Sequence, residues 1–163
     1  MIHVSAMCSV QCLGMGGGRI FAFQVMNIDR VKKTLEQKPN LADSLGMTFV
    51  STPEPDSCMA MMTVGEQNCQ PYGYLSGGAS LALAETLAGV GSAAICPEEV
   101  AVGINVSGHH IKAVKIGESV TAKATIVQKG RTLHVWNVAI TDNEGALVSE
   151  AVVTNYIIKK DKG

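Results

Sequence analysis

Apolar positions recur along this chain with two different periods. Ile28, Val31 and Leu35 fall at i, i+3 and i+7, one stripe of a helix. Asn27 is placed to cap it, and Asp29 sits in its first turn, where a negative charge meets unpaired N–H groups. The Lys38-Pro39-Asn40 cluster ends this helix, and Leu41 to Leu45 supplies one more helical turn, closed near Gly46. Met47 to Thr52 and Cys58 to Val64 read as short strands around a Pro-Glu-Pro-Asp turn. After a polar stretch from Gly65 to Tyr74, the run from Leu75 to Ile95 (LSGGASLALAETLAGVGSAAI) reads as one long helix of small and apolar residues. Pro97 stops it.

Period two takes over from there. Val100 to Val114 is rich in β-branched residues and broken by Gly103 and Gly108. Ser119 to Gln128 alternates around Val120, Ala122, Ala124 and Ile126, and Lys129-Gly130 is a turn. Arg131 to Thr141 alternates as Leu133 and Val135, then Val138 and Ile140, with a phase change near Trp136. Asp142-Asn143-Glu144-Gly145 is a hairpin turn, and Leu147 to Ile158 is the last strand. Consecutive strands joined by short turns imply an antiparallel meander, and one long helix must cover one face of it. The fold class is α+β.

Composition adds a constraint. The 163 residues suffice for one domain with a core of its own. Only 17% are charged, against roughly 25% in ordinary soluble domains. Aromatics are 4%, so the core is built from aliphatics, Ala and Met. Such a surface has to be hidden against a partner copy or in a membrane. A net charge of −1 excludes the broad basic footprint of a nucleic-acid binder. The five cysteines, Cys8, Cys12, Cys58, Cys69 and Cys96, are odd in number and scattered, unlike a secreted disulfide framework. Cys8 and Cys12 lack a second Cys/His pair at zinc spacing, so no metal site is expected, and reduced thiols in a cytoplasmic protein fit better.

Leu75 to Ile95 is about as long as a transmembrane span, which needs roughly 20 apolar residues. It is made of Gly, Ala and Ser more than Leu, Ile and Phe, carries Glu85 in its middle, and leads into period-two strands. A buried helix is expected and no membrane span. Met1 to Phe23 has the single charge Arg19 and lacks the basic and apolar regions of a signal peptide. Residues 1–26 are therefore expected to be a poorly ordered extension, with natural translation starting at Met26. Residues 27–160 form the domain and 161–163 a tail.

Glu85 is the only charged residue between Gln67 and Pro97. A carboxylate on an apolar helix is costly without a partner or a task, unless that helix has one wet edge, which Ser80 and Thr86 would share. Gly77 and Gly78 open the same helix. Its first N–H groups are unpaired and attract developing negative charge. Two glycines there admit either a ligand or a closely packed neighbour. An oxyanion at the helix start, with a carboxylate two turns on, is an acyl-transfer arrangement.

The run Gln70-Pro71-Tyr72-Gly73-Tyr74-Leu75-Ser76-Gly77-Gly78-Ala79-Ser80, continuing into Leu83-Ala84-Glu85-Thr86, resembles the hotdog-fold acyl-CoA thioesterases. The subgroup it resembles is the 1,4-dihydroxy-2-naphthoyl-CoA hydrolases and 4-hydroxybenzoyl-CoA thioesterases with a helix-borne Glu. Val102-Gly103-Ile104-Asn105 to His110, Gly117-Glu118, Gly130-Arg131 and His134-Val135-Trp136 are similar to that family too. The resemblance covers residues 27–158. It implies an antiparallel sheet wrapped around one long helix, and hydrolysis of an aromatic acyl-CoA. It places the catalytic carboxylate at Glu85, as nucleophile or as base toward water, the oxyanion donor at the Gly77 N–H, and the substrate-orienting amide at Gln70. CoA contacts fall on Gly103, His110 and Lys112 and on Gln128, Lys129, Gly130, Arg131 and Thr132, where Lys129 and Arg131 suit phosphates. His109 and His110 also read as an ordinary solvent-facing strand pair.

Two positions depart from that family. Ser76 stands where a His usually precedes the glycine pair, and Gly89 stands where a Ser or Thr usually follows the Glu by one turn. The resemblance further implies no cofactor beyond the CoA of the substrate, and a homo-oligomer, a dimer of dimers with sites between subunits. Two other readings remain: a hydroxyacyl dehydratase on the same fold, disfavoured by the lack of His between Gln67 and Pro97, and a non-catalytic acyl-CoA binding module, disfavoured by Glu85.

Overall fold

The computed structural model of the chain describes residues 26–160. The readings placed on the N-terminal extension, on Cys8 and Cys12 and on the 161–163 tail lie outside the described residues. Helix α1 (Asp29–Leu35) and helix α2 (Leu41–Leu45) come first. Met26 and Ile28 are buried in the core, so the folded domain reaches back to Met26. The N-cap of α1 is Ile28, which has no capping side chain, rather than Asn27; the Asn27 amide oxygen accepts from the Asp29 N–H at 2.9 Å, a local turn just ahead of the helix. Asn40 caps α2 by accepting from the Asp43 N–H, and Gly46 closes it in a left-handed conformation, φ 73°.

Strands β1 (Met47–Ser51) and β2 (Ser57–Thr63) precede the long helix α3 (Gly77–Ile95). Strands β3 (Glu99–His110), β4 (Ser119–Lys129), β5 (Leu133–Asp142) and β6 (Leu147–Lys159) follow it. All six form one antiparallel sheet in the order β1-β2-β4-β5-β6-β3. Strands β4, β5 and β6 are the expected meander. β3 crosses over to pair with β6 and becomes an edge. The sheet wraps α3, which buries Leu83, Ala84, Leu87, Ala88, Val90 and Gly91.

Small residues on α3 make room for one large one. A Cβ on Gly91 would stand 2.5 Å from Trp136 Cη2 and 3.1 Å from Cys58 Sγ. Trp136 is fully buried, and its ring approaches the helix this closely only because that side chain is missing.

The strand phase needs two corrections. On β5 the inward set is His134, Trp136, Val138 and Ile140 without a break, while Leu133 is exposed. The irregularity lies on β4, where the register slips between Ile126 and Gln128 and leaves Val127 as a bulge. A polar residue at an inward position, His134, disguised the alternation. On β3, Gly103 and Gly108 do not break the strand. It bulges between Gly103 and Asn105, runs on to His110, and ends there rather than at Val114.

Candidate active site

The segment leading into α3 is held by one buried side chain. Asn68 Nδ2 donates to the carbonyls of Thr63 (2.9 Å) and Leu45 (3.1 Å), and its Oδ1 accepts from the Gly65 N–H (2.9 Å). The Asn68 carbonyl in turn accepts from the Ser76 N–H at 3.0 Å. A tight turn in which the Gly73 N–H donates to the Gln70 carbonyl sets Gln70 beside the helix start. Sequence reasoning missed Asn68, whose only signal was its place in a polar stretch.

A cavity of about 260 Å³ opens at the N-terminus of α3, lined by Gln70, Gly77, Ser80, His110, Lys112 and Val148. Gln70, Gly77, His110 and Lys112 are thus brought together. Ser76 precedes Gly77 as the N-cap, and its hydroxyl does not cap the helix. The close approach that Gly77 permits is taken by a neighbour: a Cβ there would stand 2.6 Å from His110 Nε2. Gly78 is exposed. Lys112 forms an ion pair with Asp142, whose hydrogen bond raises the lysine above its ordinary range and lowers the carboxyl below its own.

Glu85 follows Gly77 by eight residues, about 12 Å of helix rise. Its half-buried carboxylate lies on the bare backbone of Gly103 in β3, where a Cβ would meet Oε1 and stand 3.2 Å from Cδ. Gly103 therefore serves to seat Glu85. Among the described residues Glu85 makes no ion pair or hydrogen bond. One turn on, the space around Gly89 is open for at least 4 Å from a Cβ position.

Gln128 and Lys129 end β4, and Gly130, Arg131 and Thr132 form the β4–β5 turn, which is tied to the sheet where the Ile157 N–H donates to the Thr132 carbonyl. Ile157 and Ser149, the latter paired with His110, stand eight residues apart on β6, roughly 26 Å along the strand. One protomer does not bring this turn to the cavity.

A buried polar cluster near the far end of α3 also escaped the sequence. Ser92 Oγ accepts from Trp136 Nε1 (2.9 Å) and Asn155 Nδ2 (3.0 Å), and lies 3.1 Å from His134 Nδ1. Both N–H groups are obligate donors, so the one hydroxyl proton goes to His134 Nδ1 and the ring is neutral with its proton on Nε2. Burial holds His134 below its ordinary 6.5, aided by the Lys129 charge and opposed by the Gly130 backbone and Glu99. In the unfolded chain the ring protonates near its ordinary value of 6.5. Its contribution to stability is complete above that pH and is lost as pH falls through the lower folded value. The melting temperature should fall on acidification below about pH 6.5, and fall less in His134→Gln, whose amide keeps an acceptor and a donor without titrating. Equal falls in both proteins would refute this assignment.

The geometry has counterparts in known proteins. The chain is 34% identical over 123 residues to the 1,4-dihydroxy-2-naphthoyl-CoA hydrolase of Listeria monocytogenes, covering 75% of this chain and 98% of that one. The family model of the thioesterase superfamily matches residues 72–149. This chain belongs to the thioesterase superfamily. A 1,4-dihydroxy-2-naphthoyl-CoA thioesterase of Arabidopsis thaliana is 35% identical over 102 residues, 58% of this chain and 65% of that one. Among solved structures, the thioesterase HI1161 of Haemophilus influenzae superposes with a TM-score of 0.75 at 27% identity, covering 86% of this chain and 97% of that one. The sheet around α3 is the thioesterase hotdog fold, and the enzyme is a thioester hydrolase. α3, the one described helix long and apolar enough to cross a membrane, is the core helix of that fold.

Proposed function

We propose that this thioesterase hydrolyses an aromatic acyl-CoA to the free acid and CoA, with 1,4-dihydroxy-2-naphthoyl-CoA the first substrate to test. The observation that carries the reading is the seating of the Glu85 carboxylate on Gly103, with Gly77 and Gln70 gathered at the start of the same helix. The Gly77 N–H receives the thioester carbonyl oxygen, and Gln70, with Ser76 beside it, orients the acyl group. Glu85 either attacks the carbonyl carbon or takes a proton from the attacking water. The tetrahedral intermediate collapses with loss of CoA thiolate, a good leaving group; where Glu85 is the nucleophile, water then cleaves the acyl-glutamyl anhydride to release the acid and restore the carboxylate, and neither route needs a metal or redox cofactor.

A single carbonyl cannot touch Gly77 and Glu85 of one protomer across about 12 Å of helix. The reading therefore places Glu85 of one copy against Gln70 and Gly77 of another. The edge strand β3, with Val102 and Ile104 exposed, supports pairing of two copies, and the low charged fraction supports further assembly into a dimer of dimers. Across such an interface the exposed Lys129 and Arg131 at the β4–β5 turn suit CoA phosphates better than Lys112, which Asp142 neutralises. A cytoplasmic setting fits reduced cysteines and a CoA substrate.

Free-thiol release from naphthoyl-, benzoyl- and straight-chain acyl-CoAs tests the substrate class. Aromatic thioesters should have the higher kcat/KM. Preference for straight chains would overturn the substrate, and binding without turnover would indicate a binding module. A monomer by light scattering would contradict the shared site.

A further inference from the structure

Two of the three described histidines are paired with a serine, and the two pairs carry their protons in opposite senses. Ser92 is saturated by two N–H donors, so it gives its proton to His134 Nδ1 and that ring is spent on the core. The other pair lies across β3 and β6, where His110 stands opposite Ser149. Ser149 is 1% exposed, and its hydroxyl donates to the His109 carbonyl at 2.9 Å. Having spent its proton, Ser149 can only accept from His110 Nδ1, 3.1 Å away. His110 is therefore fixed as the Nδ1–H tautomer when neutral, and its Nε2 is left as a bare acceptor. That nitrogen lies against Gly77, on the wall of the cavity that also holds Gln70.

Resting on the function proposed above, we infer that His110, positioned by Ser149, determines specificity: its Nε2 accepts a hydrogen bond from a hydroxyl carried by the acyl group beside its thioester carbonyl. A lone pair next to Gly77 repels the carbonyl oxygen that the Gly77 N–H attracts. It suits a donor on the neighbouring carbon. Lys112 on the same wall can only donate and is paired with Asp142. An aryl ring with its hydroxyl ortho to the thioester presents oxygen to Gly77 and O–H to His110 at once. The 1,4-dihydroxy-2-naphthoyl group has that arrangement. In free solution this hydroxyl bonds to its own carbonyl; in the cavity the two oxygens would be drawn to separate protein groups. Gly77 is required for this too, because any side chain there would strike the imidazole.

The test compares 2-hydroxybenzoyl-CoA with benzoyl-CoA and 4-hydroxybenzoyl-CoA. The readout is the ratio of kcat/KM within one preparation, which a folding defect lowers equally for all three. The native enzyme should favour the 2-hydroxy compound by about 2- to 10-fold, as one added hydrogen bond implies. His110→Phe should bring the ratio near one, and His110→Asn, which keeps an acceptor, should restore part of it. Long-range proton–nitrogen NMR should show the Nδ1–H tautomer at His110, lost in Ser149→Ala. Turnover without ortho preference, preference retained in His110→Phe, or an Nε2–H tautomer in the native enzyme would each overturn the inference and leave the thioesterase function standing. Failure to turn over any aryl thioester would overturn the aromatic substrate along with it.

Discussion

Glu85→Ala is expected to lower kcat for CoA release by about 10²- to 10⁴-fold, the range lost when a positioned acid, base or nucleophile is removed. The same variant should melt no lower than the native enzyme. Both halves follow from one geometry. The carboxylate is half-buried on the Gly103 backbone and has no ion pair or hydrogen bond among the described residues, so deleting it breaks no contact of that kind. A residue kept for structure would show the reverse pattern, intact turnover and lost stability. Glu85→Gln has nearly the same shape and no charge, and should be nearly as inactive. Near-native kcat in Glu85→Gln would reject the carboxylate as nucleophile or base.

Ser92→Ala is expected to destabilise the fold by about 2–5 kcal/mol, because it leaves two buried N–H donors without an acceptor. The Trp136 indole and the Asn155 amide both rely on Ser92 Oγ, and neither residue is exposed to water. Asn155 Oδ1 already lacks a partner among the described residues, so the cluster has no slack. At roughly 3–5 °C per kcal/mol for a domain of this size, the melting temperature should fall by about 6–25 °C. The cluster ties α3 to β5 and β6, so the loss should appear as a cooperative shift of the whole transition. A change under about 1 kcal/mol in chemical denaturation would show that water or rearrangement replaces the hydroxyl.

The architecture was legible because apolar spacing records which side of each element faces the core. Ile28, Val31 and Leu35 pack as a stripe, Val120, Ala122 and Ala124 point inward, and Asp142 to Gly145 turns the chain between β5 and β6. Spacing misled where an inward position is polar. His134 faces the core because Ser92 meets it there, and that partner is 42 residues distant in sequence. Nor does period two record a single bulged residue, so the slip at Val127 was assigned to the wrong strand.

The candidate site divides the same way. The isolated charge of Glu85 on an apolar helix, and the glycine pair that opens that helix, are properties of the one-dimensional string. A charge without local compensation is costly wherever the helix packs, and an exposed row of N–H groups follows from helix geometry alone. Sequence by itself thus determined the element order, the core helix and the two features that nominate a site, an isolated carboxylate and a glycine-opened helix start. Only the tertiary structure decided that Gly103 seats Glu85, that His110 fills the space Gly77 leaves, and that the β4–β5 turn lies far from the cavity within one protomer. Each of those depends on β3 crossing over to pair with β6 beside α3. That pairing brings together residues whose separation in the chain carries no local signal, because hydrogen bonds between strands satisfy backbone groups that are the same at every residue.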